Sequence, residues 1–163
     1  MITTPIIQTL PQKKLVGKSM RMSLIQNTTP QLWKSFMQQR NSIKNAVGSD
    51  LYSLQVYDEL YFKQFNPKTE FTKYALTEVT NFEMIPEGME AFTLESGLYA
   101  VFIYHGLPQN FAEAFQYIFH QWLPNSKYEL DNRPHFEVLG KDYNPTSETS
   151  KEEVWIPVKN GTL

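Results

Sequence analysis

Near its C-terminus the chain carries Glu152-Glu153-Val154-Trp155-Ile156-Pro157-Val158, where a carboxylate stands two residues from an indole. Successive side chains of an extended strand point to opposite faces, so Val154, Ile156 and Val158 form one aliphatic face and Glu153, Trp155 and Pro157 the other. The aliphatic face belongs against a helix. The other face sets an acid among aromatics with no basic partner. A desolvated carboxylate of this kind is costly when ionised, and a lipophilic cation removes that cost. Aromatic faces add cation–π attraction of roughly 0.5 to 2 kcal/mol each and tolerate varied ligand shapes. The same parity in Tyr74-Ala75-Leu76-Thr77-Glu78-Val79 turns Tyr74, Leu76 and Glu78 to the cleft side. The candidate ligand-binding residues are Glu153 as counter-charge and Trp155, Tyr74, Tyr57, Tyr104 and Trp122 as walls. Tyr57 and Tyr104 enter because they end strands beside predicted loops. A plainer assignment stays open for all of them: Glu153 as an exposed strand residue beside a rim aromatic, and Trp122, like Trp33, as part of a helical core stripe.

Other chemistries find little support. The three histidines, His105, His120 and His135, have neither helical i, i+4 spacing nor Cys partners, and no Cys occurs in the chain. No metal and no cofactor are expected. Neither G-x-S-x-G, G-x-G-x-x-G nor G-x-x-x-x-G-K-[ST] is present, so an esterase elbow, a dinucleotide site and a phosphate loop are not indicated. No catalytic residue is assigned under the binding reading. Fifteen Lys and Arg against seventeen Asp and Glu give a net charge of -2 without a basic stripe, which argues against direct nucleic-acid binding. No apolar run reaches the roughly 20 residues of a membrane span, and Met1 to Pro11 lacks the basic and apolar regions of a signal peptide, so a cytoplasmic protein without membrane contact is expected.

These side chains need elements to hold them. A length of 163 residues with 41% hydrophobic and 14% aromatic content is one domain with a substantial core. Residues 1–12 are read as a tail or short edge strand, 13–159 as the domain, and 160–163 as a C-terminal tail. Strand patterns cover Lys13 to Leu24, with Gly17 as a bulge, then Leu51 to Asp58, Phe71 to Val79, Met89 to Leu94, Leu98 to Tyr104, His135 to Leu139 and Glu152 to Lys159. One helix is expected from a Thr29-Pro30 cap through Val47, stopped by Gly48, and a second from an Asn110 cap through Trp122, ended by Leu123-Pro124. The two parts, about 13–80 and 89–159, repeat the order strand, helix, strand, loop, strand. That order points to an α+β fold, a duplicated strand-helix-strand-strand unit whose curved antiparallel sheet carries two helices and leaves a central cleft.

Several strings carry a further likeness: Pro30-Gln31-Leu32-Trp33-Lys34-Ser35-Phe36, Ile85-Pro86-Glu87-Gly88-Met89, Gly97-Leu98-Tyr99-Ala100-Val101-Phe102, Gln121-Trp122-Leu123-Pro124-Asn125-Ser126 with Tyr128-Glu129-Leu130, Arg133-Pro134-His135-Phe136-Glu137-Val138 and Glu153-Val154-Trp155-Ile156-Pro157-Val158. In this order, from about Leu15 to Lys159, they resemble the GyrI-like small-molecule-binding family. The resemblance implies the duplicated fold, also used as the effector-binding domain of bacterial multidrug-sensing transcription activators, and an acid in the last strand, here Glu153, that meets cationic aromatic drugs. It reads as a stand-alone member, since no DNA-binding segment precedes the domain. Stand-alone members imply two other roles: hydrolases that open strained cyclopropane rings, with Glu153 as acid or base, and inhibitors that bind DNA gyrase as a protein partner. The leading expectation is a small-molecule-binding module, monomer or homodimer.

Overall fold

The computed structural model describes Met1 to Thr162. Strands β1 (Ile6–Leu10) and β2 (Lys13–Met22) lead into helix α1 (Thr29–Gln39), then β3 (Ala46–Val56), β4 (Phe71–Val79), β5 (Glu90–Leu94) and β6 (Gly97–His105). Helix α2 (Phe111–Gln116) continues through a π-helical turn, Tyr117–Trp122, and β7 (Tyr128–Leu130), β8 (His135–Leu139) and β9 (Lys151–Asn160) complete the fold. It is α+β. The strands form one antiparallel sheet in the order β1-β6-β9-β8-β3-β4-β2-β5, with β7 added beside β9.

That order is a two-fold pattern. The half β3-β4-β2, served by α1, is matched by β8-β9-β6, served by α2, and the antiparallel pair β3·β8 lies at the join. Each half receives as its edge strand the segment that precedes the other: β5 pairs β2, and β1 pairs β6. β1 and β2 therefore stand toward opposite ends of the sheet yet are joined by only Pro11 and Gln12, a link that reaches at most roughly 10 Å. Glu95 and Ser96 join β5 to β6 under the same constraint. Two such links force the sheet to curl into a half-barrel.

The curl gives the sheet two unlike faces. The inner face is filled by Leu10, Leu15, Tyr52, Leu54, Leu76, Leu94, Tyr99, Val101, Phe136 and Trp155, drawn from both halves. The outer face carries two separate cores, one where Leu32 and Phe36 of α1 meet Val16, Ala75 and Val79, the other where Ala114 and Ile118 meet Phe102, Val154, Ile156 and Val158. Alternation alone produces this division. Among the described residues no helix lies over the outer face of β3 and β8, between the two helices.

Several local expectations are corrected. α1 ends at Gln39 in a 3-10 turn, Arg40–Ser42, and Val47 and Gly48 lie within β3, because the stretch after Ser42 is extended and mostly exposed instead of buried on one helical side. Gly48 does not stop a helix; its φ of 69° sits where the β3–β4 register shifts between Ala46 and Leu51. Neither Thr29 nor Asn110 caps a helix through its side chain; at α1 the Thr29 amide donates to Asn27 Oδ1 at 3.0 Å. Gly17 makes no bulge, since β2 runs in unbroken register with β4 from Leu15↔Glu78 to Met22↔Phe71. A side chain there would collide with the backbone of Ala75, which explains the glycine. The sequence pattern predicts no strand at Tyr128–Leu130, where β7 forms. Residues 1–12 contain the edge strand β1, and β9 runs through Asn160; of the expected tail 160–163, Leu163 lies outside the described residues.

Candidate functional site

The six aromatic and acidic candidates do not converge. Glu153, Trp155 and Tyr74 lie on the inner face, as strand parity demands, but that face is packed. Trp155 stacks on Phe136 at 5.2 Å between ring centroids, Tyr74 packs on Phe92 at 4.8 Å, and Glu153 accepts a hydrogen bond from Trp155 Nε1 at 2.9 Å. A recess of about 280 Å³, bounded by Tyr52, Phe136 and Leu10, opens beside Glu153 and Trp155. Tyr104 is buried against Phe111 and donates to the Leu107 carbonyl at 2.6 Å. Trp122 meets Phe102 edge-on in the core beneath α2. Tyr57 alone of the six lines a cavity of the outer face about 540 Å³ in volume.

That cavity lies between the β3–β4 connection and the α2 region. Its walls are Tyr57, Phe62 and Phe65 on one side and Phe115 and Phe119 on the other, with His135 and Arg133 below. The aromatic connection spans the two halves: Phe62 stacks on Phe119 at 5.0 Å and on His135 at 5.1 Å, while Tyr57 meets His135 edge-on at 4.9 Å. Aromatic pairs at these separations are favourable beyond the area they bury. Arg133 holds the floor. It donates to Asp131 Oδ2 at 2.7 Å and to the Val158 carbonyl at 3.1 Å, and its guanidinium lies 4.7 Å over the Tyr99 ring.

Along the outer face from His135 the residues turn polar. In β3 and β8 the parity that sends Leu54 and Phe136 inward sends Gln55, Ser53, His135 and Glu137 outward. Lys73 faces outward from β4 directly across from Gln55, and Glu152 faces outward from β9 two residues before Val154, the partner of Glu137. Gln55 Nε2 donates to Glu137 Oε1 at 3.4 Å; with the amide turned it reaches Oε2 at 3.1 Å and the His135 carbonyl at 3.3 Å. Burial pushes Glu137 up to about 7 against the pull of Lys73 and the Gln55 hydrogen bond. Glu152 is pushed up to about 8, first by desolvation and then by the neighbouring Glu137 charge. Desolvation lowers Lys73, and His135 is brought down to about 3 by burial and by Arg133, so it is neutral. Glu152 lines an opening of about 370 Å³ together with Glu153, Ile103 and Val138. The outer face between the helices is thus a trough, aromatic at one end and acidic at the other.

Glu137 and Glu152 were not singled out as functional from the sequence. The available signal was parity: His135 and Glu137 alternate with Phe136 and Val138, and Gln55 and Lys73 fall on the same face of neighbouring strands. Four polar side chains on the helix-bearing face of a sheet mark the place where no helix lies.

Among the described residues no group of three or more His, Cys, Asp or Glu is arranged to hold a metal ion, and no helix is long and apolar enough to cross a membrane. The model of the Cass2 family, integron-associated effector-binding proteins, matches residues 6–158. The transcriptional regulator BrlR of Pseudomonas aeruginosa is 28% identical over 149 residues, covering 91% of this chain and 53% of BrlR, so the chain spans about half the length of that curated relative. Among solved structures, SAV2435 bound to tetraphenylphosphonium superposes with a TM-score of 0.74 at 20% identity, covering 96% of this chain and 94% of SAV2435. The integron cassette protein VCH_CASS2 of Vibrio cholerae superposes with a TM-score of 0.66 at 16% identity, covering 97% of each chain. The likeness to these structures is one of fold.

Proposed function

This chain belongs to the Cass2 family of integron-associated effector-binding proteins, and on that premise we propose that its outer trough binds lipophilic aromatic cations, with Glu137 as the counter-charge. The observation that carries this reading is the pairing of a desolvated carboxyl with an aromatic cavity on one face. Burial pushes Glu137 up to about 7, and Tyr57, which feels the Glu137 charge, lines the aromatic cavity with Phe62, Phe115 and Phe119. A cation entering between them restores the charge balance that burial denies Glu137, while the rings accept planar or globular apolar groups without a fixed hydrogen-bond pattern. Tetraphenylphosphonium, which the structural neighbour SAV2435 binds, has this chemistry. The effector-binding role connects the domain to transcription regulation and small-molecule sensing, in the cytoplasm.

The test is fluorescence titration with tetraphenylphosphonium, displacing a cationic dye, on the wild type and on Glu137→Gln and Glu153→Gln. Glu137→Gln is expected to weaken the cation about tenfold or more, because a charge-assisted contact is lost, while a neutral ligand of like shape changes little. A loss confined to Glu153→Gln would return the counter-charge to the inner face. A second reading, hydrolysis of strained electrophiles, draws on the same carboxyls, because groups that titrate near neutrality suit acid and base work. It requires a product one water heavier than the ligand, whereas the binding reading returns the ligand's mass unchanged.

A further inference from the structure

Lys73 is the residue of the trough that cation binding leaves unexplained. It stands in the row Met20, Lys73, Gln55, His135 across β2, β4, β3 and β8, so its ammonium shares the outer face with Glu137 and Glu152. Neighbouring strands are roughly 4.8 Å apart, which puts the β4 and β8 backbones roughly 10 Å apart with Gln55 between them. Gln55 is committed to Glu137. The ion pairs among the described residues are Lys13 with Glu78 and Arg133 with Asp131; Lys73 joins neither carboxylate of the trough and donates no side-chain hydrogen bond. A half-buried ammonium and two half-buried carboxyls therefore share one face without an ion pair among them, and all three feel one another's charge. Leaving such groups unpaired is costly unless something else completes them. A cation alone completes the acids and leaves the lysine worse off through repulsion.

We propose that Lys73 and Glu137 form a two-signed recognition site that makes the trough select aromatic zwitterions, with the ligand's cation at Glu137 and its anionic group at Lys73. This inference rests on the reading of the trough as the ligand site and adds the second contact. Lys73 is then a specificity-determining residue: it admits a carboxylate-bearing aromatic amine or iminium and penalises the same scaffold when the anion is masked.

The experiment uses rhodamine B, a xanthylium cation with a free carboxylate, and its ethyl ester, the same cation without the anion. Both are titrated by fluorescence anisotropy against the wild type, Lys73→Met, Lys73→Arg and Glu137→Gln. The wild type is expected to prefer the acid to the ester by about tenfold, the worth of one charge-assisted contact. Lys73→Met, which keeps the stem, is expected to lose that preference by binding the acid more weakly and the ester more tightly; Lys73→Arg keeps it; Glu137→Gln weakens both dyes. Retained ester binding shows that Lys73→Met is folded. An acid-to-ester ratio unchanged in Lys73→Met, or a wild type that prefers the ester, overturns the inference and leaves the cation site standing. Failure of the wild type to bind either dye overturns both.

Discussion

At the scale of single residues, the trough is defined by groups whose protonation burial has moved. Glu137 and Glu152 titrate near about 7 and about 8 in the folded protein, above the ordinary 4.5 of the unfolded chain, so the fold retains protons that the unfolded chain has released. Stability linked to them is complete below pH 4.5 and is lost as the pH rises through those folded values. Thermal melting between pH 5 and pH 8 should show a falling midpoint, with a shallower fall in Glu137→Gln. His135 has the opposite sign: its folded value of about 3 lies below 6.5, so its contribution is present above pH 6.5 and fades on acidification. Cation binding follows the carboxyl. If Glu137 must be ionised to receive a cation, tetraphenylphosphonium affinity should rise about tenfold between pH 5.5 and 6.5 and level off above pH 8, the slope expected of a single proton released. A flat profile would remove Glu137 from the contact.

At the scale of elements, two segments set what the trough can be. β2 passes so close to β4 at Gly17 that no side chain fits against Ala75, and Gly17→Val should cost about 3 kcal/mol or more, as overpacking against backbone has no flexible neighbour to yield. Denaturant unfolding would measure it as a lowered midpoint. The β3–β4 connection is the second segment. Phe62 occupies the slot between His135 and Phe119 and lines the aromatic cavity. Phe62→Ala should open that slot and speed association of a bulky cation in stopped-flow mixing, while losing stacking contacts that slow its release. The element lengths teach a related lesson. Helical spacing of apolar residues from Leu32 to Val47 spans two structures, because Ile43 closes the α1 core from an extended segment and Val47 is exposed in β3.

At the scale of the whole molecule, the two halves are not independent domains. Their outer cores are separate, yet the inner core draws Leu54 and Leu76 from one half and Tyr99, Phe136 and Trp155 from the other. Unfolding should be a single cooperative transition by calorimetry; two resolved transitions would contradict a shared core. Leu10, 1% exposed, sits where the ends of the sheet approach each other. Leu10→Ala should cost about 2 to 5 kcal/mol, the range for deleting a buried leucine side chain, although the residue lies in an edge strand of five residues.

Much of this fold is legible in local sequence pattern. Strand alternation assigned Val154, Ile156 and Val158 to a helix-covered face and set Trp155 and Tyr74 opposite, and the repeated order of elements implied a two-fold sheet with one helix per half. Alternation is a property of the local backbone, so the sequence determines it alone. Which of the two faces stays open is not local. It depends on the swapped edge strands and their two-residue links, which curl the sheet and fill the face that holds Glu153, while the spacing of the helices leaves the face that holds Glu137 without a helix. The curl is a closure condition on the whole chain, and only the tertiary structure imposes it.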